Sequence, residues 1–372
     1  MYDGNRIGVV VPAYNEEGLV GDVIEEIPAF VDRVYVVDDA STDGTWEEIS
    51  EHVPSDATIR EAVIDQRWDD VDSFRVVAIR HGANRGVGGA IKTGYQRART
   101  DELDVVAVVA GDGQMDLGVL DRLIEPITAG EAAYAKGNRL IFRDHSASMS
   151  RWRFFGNSLL SLLTKISSGY WRISDPQNGY TAISVDAFDR IGLDDLYEDY
   201  GFANHLLVRL NAYEMRVADV SIPAKYGDEK SGIRYRTFVP KLAALLLTTF
   251  LWRLKTRYLV FEFHPLVCYY VIGVLAVLAG TVSGLVGLWN LTTQGSVGLS
   301  LVGVCLLWLF GGYALSTGMQ LDRDQGEELE LRRYEHSDES RSDESPSAVE
   351  EPATGPVVST QEMPAEQPTE SP

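Results

Sequence analysis

Four short runs rich in β-branched residues, at 6–11, 33–38, 75–80 and 104–110, are each followed by a turn and then by a segment with helical spacing. That alternation means βαβ units, and hence a mainly parallel central sheet with helices on both faces. The stretch 56–72 interrupts it with a polar, charged excursion, expected to be a surface insertion or hairpin. Beyond residue 132 the pattern is mixed. Residues 179–184 and 215–220 read as strands and 151–168 and 200–211 as helices, which would complete the sheet and build the second wall of a cleft.

Two runs without a charged residue, 265–289 and 297–320, are each long enough for the roughly 20 helical residues that cross a bilayer. Both cysteines, Cys268 and Cys305, lie inside them, so none is left for a zinc site or disulfide in the body. Before them, Phe238, Leu242, Leu245, Leu246, Phe250 and Trp252 alternate with Lys241, Arg253, Lys255 and Arg257. That is the pattern of an amphipathic, basic helix lying in the headgroup plane, or else of a core helix of the body. Residues 322–372 hold fifteen acidic residues against four arginines, half of the formal charge of −22, and almost no large apolar side chains. The expected organisation is a body over 1–236, an interface helix over 237–259, two spans over 260–321 and a disordered acidic tail over 322–372.

Basic residues flank the pair of spans on both sides, Lys255 and Arg257 before, Arg323, Arg332 and Arg333 after. The positive-inside rule puts both flanks on the cytoplasmic face. The chain opens polar and goes directly into a strand, with no cleavable signal, so body and tail are expected to be cytoplasmic at the cell membrane. The acidic balance argues against nucleic acid as a partner, and it suits a protein kept soluble at high salt, as in a halophile.

Each informative motif falls at the carboxyl end of a strand, the edge where open α/β sheets bind ligands. Val11-Pro12-Ala13-Tyr14-Asn15-Glu16 ends the first strand, and Asp38-Asp39-Ala40-Ser41-Thr42-Asp43-Gly44 ends the second. Their carboxylates and amides can hydrogen-bond a base and ribose; the three aspartates also spell an Asx-turn and a helix cap. Asn84-Arg85-Gly86-Val87-Gly88-Gly89 lacks the ending of a P-loop and follows the third strand rather than the first, so its glycines are read as serving a tight turn and close helix packing. Gly111-Asp112-Gly113-Gln114 follows the fourth. A carboxylate plus an amide oxygen is a partial shell for Mg2+ or Mn2+, which a donor diphosphate would complete and whose Lewis acidity would ease departure of the nucleoside diphosphate. Arg139, Arg151, Arg153, Lys230, Arg234 and Arg236 are cations in an acidic body, suited to a substrate bearing phosphate.

These motifs carry a resemblance, over residues 6–236, to the family 2 glycosyltransferases of the GT-A fold, and within them to the dolichyl-phosphate or polyprenyl-phosphate sugar synthases. The resemblance implies the GT-A nucleotide-diphospho-sugar transferase fold. It implies nucleotide-sugar contacts at Pro12, Tyr14, Asn15, Glu16, Asp38, Asp39, Ala110, Gly111 and Asp112, and metal at Asp112 and Gln114, since the family's Asp-x-Asp-x-Gln segment falls on 110–114. Ala110 replaces its first Asp. Gly137-Asn138-Arg139 corresponds to the family's Gly-Ser-Arg and Asp175-Pro176-Gln177-Asn178-Gly179-Tyr180 to its Asp-Pro-Thr-Ser-Gly-Phe segment. Glu229-Lys230-Ser231 matches its late phosphate clamp loosely. Catalysis is thereby assigned to Asp112 and Arg139, and the acceptor phosphate to Arg139, Arg153, Lys230, Ser231 and Arg234.

The function so implied is inverting, metal-dependent transfer of a hexose from a nucleotide sugar of the GDP-mannose or UDP-glucose type to dolichyl or polyprenyl phosphate, for protein or surface glycosylation. A lipid monophosphate is ionised at neutral pH and attacks without a general base. Transfer to a sugar hydroxyl of a glycolipid or polysaccharide would need one, which Glu198 or Asp199 would supply. A third reading is an inactive, membrane-anchored subunit that binds nucleotide sugar, with Ala110 as its sign.

Overall fold

The computed structural model describes residues 1–54, 58–60, 75–139, 151–223, 235–294 and 301–333. Its strands are β1 (Ile7–Ala13), β2 (Arg33–Asp38), β3 (Thr58–Arg60), β4 (Val76–Arg80), β5 (Val105–Val108), β6 (Tyr134–Asn138), β7 (Thr181–Ser184), β8 (Val217–Ser221) and β9 (Glu330–Arg333). Among the described residues they form one sheet in the order β3-β4-β2-β1-β5-β7-β6-β8-β9, in which β7 alone runs antiparallel to its neighbours. Strand periodicity sets the two cores. Val9, Val11, Val34 and Val36 point to one face, and Val10, Tyr35 and Val37 to the other. The first face is covered by α1 (Val20–Glu26), α2 (Thr45–Glu51) and α4 (Leu120–Thr128), and the second by α3 (Val87–Thr100), α6 (Ala187–Ile191) and α7 (Phe202–Ala212).

The excursion at 56–72 contributes β3, which pairs parallel with β4 and so is an edge strand rather than one arm of a hairpin; its other residues lie outside the described ones. Two strands escape the sequence reading. β6 carries Lys136 and Asn138 among its five residues, and β9 lies within the stretch assigned to the tail.

α5 (Arg151–Ser168) packs against α7 and α8 (Tyr235–Lys255). α8 is held on the body by Leu242, Leu246, Thr249 and Arg253, all buried, while Val239, Leu247 and Leu251 are exposed on its other side. Two of its expected headgroup cations point inward instead. Arg253 is fully buried, and Arg257, in the π-helical turn Thr256–Phe261, is nearly so. α9 (Leu266–Gln294) and α10 (Leu301–Gly326) are long and apolar enough to cross a membrane. They cross closely at two glycines. A Cβ at Gly273 would lie 3.0 Å from the Gly311 carbonyl, and one at Gly311 would lie 2.9 Å from the Gly273 carbonyl.

The end of α10 and the chain after it stay on the body rather than leaving it at residue 322. Asp322 is fully buried, with its Oδ1 and Oδ2 accepting from Arg253 Nη1 at 2.9 Å and Nη2 at 2.7 Å, and Oδ1 also accepting from Tyr258 Oη at 2.7 Å. Arg257 donates to Asn211 Oδ1 at 2.7 Å and to the Gln325 carbonyl at 3.2 Å. A short 3-10 turn, Glu327–Leu329, then leads into β9, which lies parallel to β8 with Val217 opposite Glu330. Residues 322–333, expected to open the acidic tail, therefore belong to the body, and 334–372 lie outside the described residues.

Candidate functional site

The strand order reverses at β1, which has β2 on one side and β5 on the other, and this is the point where an open α/β sheet leaves a crevice at its carboxyl edge. The loops after these strands are tied there: Gly111 N donates to the Pro12 carbonyl at 3.2 Å and Asp39 N to the Ala13 carbonyl at 2.9 Å. Gly111 suits this close approach, since a Cβ on it would lie 3.2 Å from the Pro12 carbonyl oxygen, tighter than ordinary contact. Ala110, half-buried beside it, donates its N–H to Met115 Sδ at 3.2 Å.

The residues expected to hold the nucleoside come together at β1 and β2, but they divide their work. Asn15, in the left-handed region at φ 58°, donates its N–H to Ser41 Oγ at 3.0 Å and accepts through Oδ1 from Thr42 N at 2.9 Å. Glu16 N donates to Thr45 Oγ1 at 2.8 Å. Asp38, wholly buried, accepts from Ser41 N at 3.0 Å and has Arg80 Nε 3.1 Å from its other oxygen. Asp39 accepts from Arg85 N and Gly86 N, each at 2.8 Å, and lies 2.7 Å from His81 Nδ1. The carboxylate of Asp39 thus builds the turn after β4. Pro12 is half-buried and Tyr14 exposed at the rim.

The glycines of that turn do what close packing requires. Gly86 has φ 83°, and a Cβ at Gly86 or Gly88 would lie 2.8 or 2.7 Å from the backbone oxygen of Glu198 or Tyr197. Gly89 N donates to the Glu198 carbonyl at 2.9 Å. The segment carrying Glu198 and Asp199 therefore crosses the start of α3. Glu198 Oε1 accepts from Lys92 Nζ at 3.0 Å and Arg85 Nη2 at 3.2 Å. Burial pushes its pKa up, but these two cations outweigh it and the carboxyl titrates below its ordinary range, a poor state for a general base. Asp199 accepts from Tyr200 N at 2.7 Å, and neither carboxylate lines the cavity described next.

A cavity of about 230 Å³ opens between the loop after β5, the end of β6 and the segment before β7, lined among others by Asp112, Gln114, Asp116, Arg139, Gln177 and Asn178. Asp112 Oδ1 accepts from Gln114 N at 3.0 Å, a turn that keeps both side chains on one loop. Arg139 Nε donates to Asp175 Oδ2 at 2.9 Å, and Asn178 Nδ2 donates to the Gly137 carbonyl at 2.8 Å, so the segment 175–178 is fastened to β6. Tyr180 donates its hydroxyl to the Asp116 carbonyl at 2.9 Å and closes the floor. The structure thus unites Asp112, Gln114 and Arg139, adds Gln177 and Asn178, and leaves Glu198 and Asp199 elsewhere. Arg153 falls in the first turn of α5 with its side chain outside the described residues, where Lys230, Ser231 and Arg234 also lie. Asp112 and Gln114 offer the hard oxygen donors that Mg2+ or Mn2+ takes. Among the described residues no three acidic, His or Cys side chains cluster as a complete metal site, so ligand oxygens would have to fill the shell.

A larger hollow, about 520 Å³, lies at the other end of the strands beside Asp104, Ala133, Ser184 and Arg216. None of the motifs reaches it.

Under the cavity, Lys136 is completely buried and its ammonium donates to the Asn178 carbonyl. Burial, with the Arg139 charge adding to it against Asp175 and Asp219, pulls its pKa down to about 8 from 10.5. Between those two values the unfolded chain binds more protons than the folded one, so stability rises with pH across this window. Compared with a Lys136→Met variant, the wild type should gain on the order of 3 kcal/mol as pH rises from 8 to 10.5. Melting temperatures of the two proteins across that range check this; parallel curves would contradict it.

The sequence model described as Glycosyl transferase family 2 matches residues 8–192 of the chain. Over 221 residues the chain is 26% identical to the UDP-N-acetylglucosamine–dolichyl-phosphate N-acetylglucosaminyltransferase of Methanococcus voltae, covering 59% of this chain and 86% of that one. It is 24% identical over 231 residues to the undecaprenyl-phosphate mannosyltransferase of Micrococcus luteus, covering 58% and 82%. Among solved structures, glucosyl-3-phosphoglycerate synthase from Mycobacterium tuberculosis with Mn2+, UDP-glucose and phosphoglyceric acid aligns at 20% identity with a TM-score of 0.44, over 67% of this chain and 80% of that one.

Proposed function

We propose, from the premise that this chain is a family 2 glycosyltransferase, that it transfers a hexose or N-acetylhexosamine, with inversion, from a nucleotide sugar to dolichyl or polyprenyl phosphate. Relatives of which the chain covers 86% and 82% are named for that acceptor class. The observation that carries the reading is the cavity itself. It joins two oxygen donors, Asp112 and Gln114, to a guanidinium, Arg139, while the two carboxylates that could serve a hydroxyl acceptor stand outside it.

In this reading Asn15 holds the nucleoside at the edge of β1, and the buried carboxylates of Asp38 and Asp39 keep the turns after β2 and β4 in place beside it. Asp112 and Gln114 would hold a divalent cation, which when bound would supply charge neutralisation for the leaving nucleoside diphosphate. Arg139, oriented by Asp175, draws the acceptor phosphate to the anomeric carbon and balances its charge during attack. Orientation does the rest, since the nucleophile needs no deprotonation. α9 and α10 anchor the protein in the cell membrane, with the body on the cytoplasmic face. Both ends of this apolar pair are bound to the same body, through Arg253 and Asp322, which supports placing both flanks on one side.

Membranes carrying the protein, supplied with Mg2+ or Mn2+, dolichyl phosphate and a panel of nucleotide sugars, should yield a glycosyl-phosphate lipid detectable by mass spectrometry. Sugar appearing instead on a glycolipid hydroxyl, or on nothing while donor still binds, would overturn the reading.

A further inference from the structure

The stretch that returns from the second apolar helix does more than fill the sheet edge. Glu330, at the start of β9, turns its carboxylate onto the loop after α5: Oε1 accepts from Trp171 N at 2.8 Å and Oε2 from Arg172 N at 2.5 Å. The same loop is gripped twice more from the returning segment. Arg332 Nη2 donates to the Arg172 carbonyl at 2.8 Å, and the Arg172 guanidinium pairs with Glu327. Asp219 of β8, next to β9, accepts from Ser174 N at 3.3 Å.

What lies downstream of this grip is the acceptor wall of the cavity. Three residues beyond Arg172 stands Asp175, which orients Arg139, and then Gln177 and Asn178, which line the cavity. Within the loop, Asn178 N donates to the Asp175 carbonyl at 3.2 Å. A displacement at 171–172 is therefore passed directly to the groups around the acceptor phosphate. The donor side, built from the loops after β1, β2 and β5, shares none of these bonds.

We propose that Glu330 is a positioning residue for the acceptor side, so that the segment following the membrane hairpin sets the geometry in which Arg139, Gln177 and Asn178 meet the acceptor. Buried carboxylates that accept from two backbone N–H groups hold a loop firmly, because the bonds are charge-assisted and the loop has no water to turn to. The assignment of an acceptor to this wall rests on the proposed lipid-phosphate transfer; the grip itself does not.

The test uses the full chain in lipid nanodiscs, as wild type, Glu330→Ala, Glu330→Gln and, as a control on the exposed turn, Glu328→Gln. Two readouts separate the questions. Amide hydrogen exchange at 171–178 should speed up about tenfold or more in Glu330→Ala, less in Glu330→Gln, whose amide oxygen still accepts one bond, and not at all in β1 or β2. In turnover assays with dolichyl phosphate, KM for the acceptor should rise about tenfold in Glu330→Ala while KM for the donor stays within about twofold, since small misplacements of a positioned group are costly. Unchanged exchange at 171–178, or donor and acceptor KM rising together, would overturn the proposal. If the wild type makes no lipid-phosphate sugar, the proposed function fails, and the exchange contrast still decides whether Glu330 holds the loop.

Discussion

An Asp112→Asn chain should fold normally and transfer no measurable sugar, with a loss of about 10²–10³-fold or more in turnover. The substitution is nearly isosteric, and an amide oxygen at this position can still accept from Gln114 N, the bond that shapes the loop. What it removes is the negative charge. Here that charge matters more than in a site with a full set of carboxylates: Ala110 offers no oxygen where the family has an aspartate, and Gln114 is neutral. Turnover across a Mn2+ titration, with a melting curve to verify the fold, measures the effect. If the variant turns over like the wild type, Asp112 does not hold the cation.

The second large effect concerns stability. Asp322→Ala should destabilise the protein by about 3–5 kcal/mol, because Arg253 would be left charged and fully buried without its partner. Burial lowers the pKa of Arg253 and Asp322 raises it; with Asp322 gone, the high intrinsic basicity of the guanidinium still keeps it protonated, so it cannot escape by losing its proton. Its remaining bonds, to the Ser167 carbonyl at 2.9 Å, the Ile166 carbonyl at 3.1 Å and Asn211 Oδ1 at 3.1 Å, solvate the cation but do not neutralise it. The double replacement Arg253→Met with Asp322→Leu should recover much of the loss. Thermal unfolding of the detergent-solubilised chains decides this; a single variant as stable as the double one would refute the account.

Much of the fold is legible in the sequence where the physics is local. Short runs rich in β-branched residues mark β1, β2, β4 and β5, and α5 occupies the residues its spacing predicts. β6 hides because Lys136 and Asn138 are polar residues buried by distant partners, the Asn178 carbonyl and Asp219, which no local pattern reveals. β9 hides for a related reason. Glu330, Arg332 and Arg333 look like tail chemistry until the loop at 171–172 and the acidic side chains of Glu125 and Glu131 are placed against them. In the site, the motif at 111–114 announces its chemistry, since carboxylate and amide must follow the strand directly. Asp39 shows the limit of such reading: a carboxylate at a strand end suits a ribose, and only the positions of Arg85 N, Gly86 N and His81 reveal that it is engaged by its own fold. The segment 175–180 stands out by its resemblance alone, and the polar run Gln177-Asn178, flanked by Pro176 and Gly179, is the local signal that it lines a cavity.

The chain returning as β9 has a consequence for how the protein is made. A nascent chain emerges from the ribosome in order, and an N-terminal domain ordinarily folds as soon as it is out. Here β9 and Asp322, the counter-ion of Arg253 near the end of α10, are synthesised only after both uncharged runs. The body therefore completes its described sheet and neutralises Arg253 only after both uncharged runs have been made, late in synthesis rather than as the N-terminal part emerges.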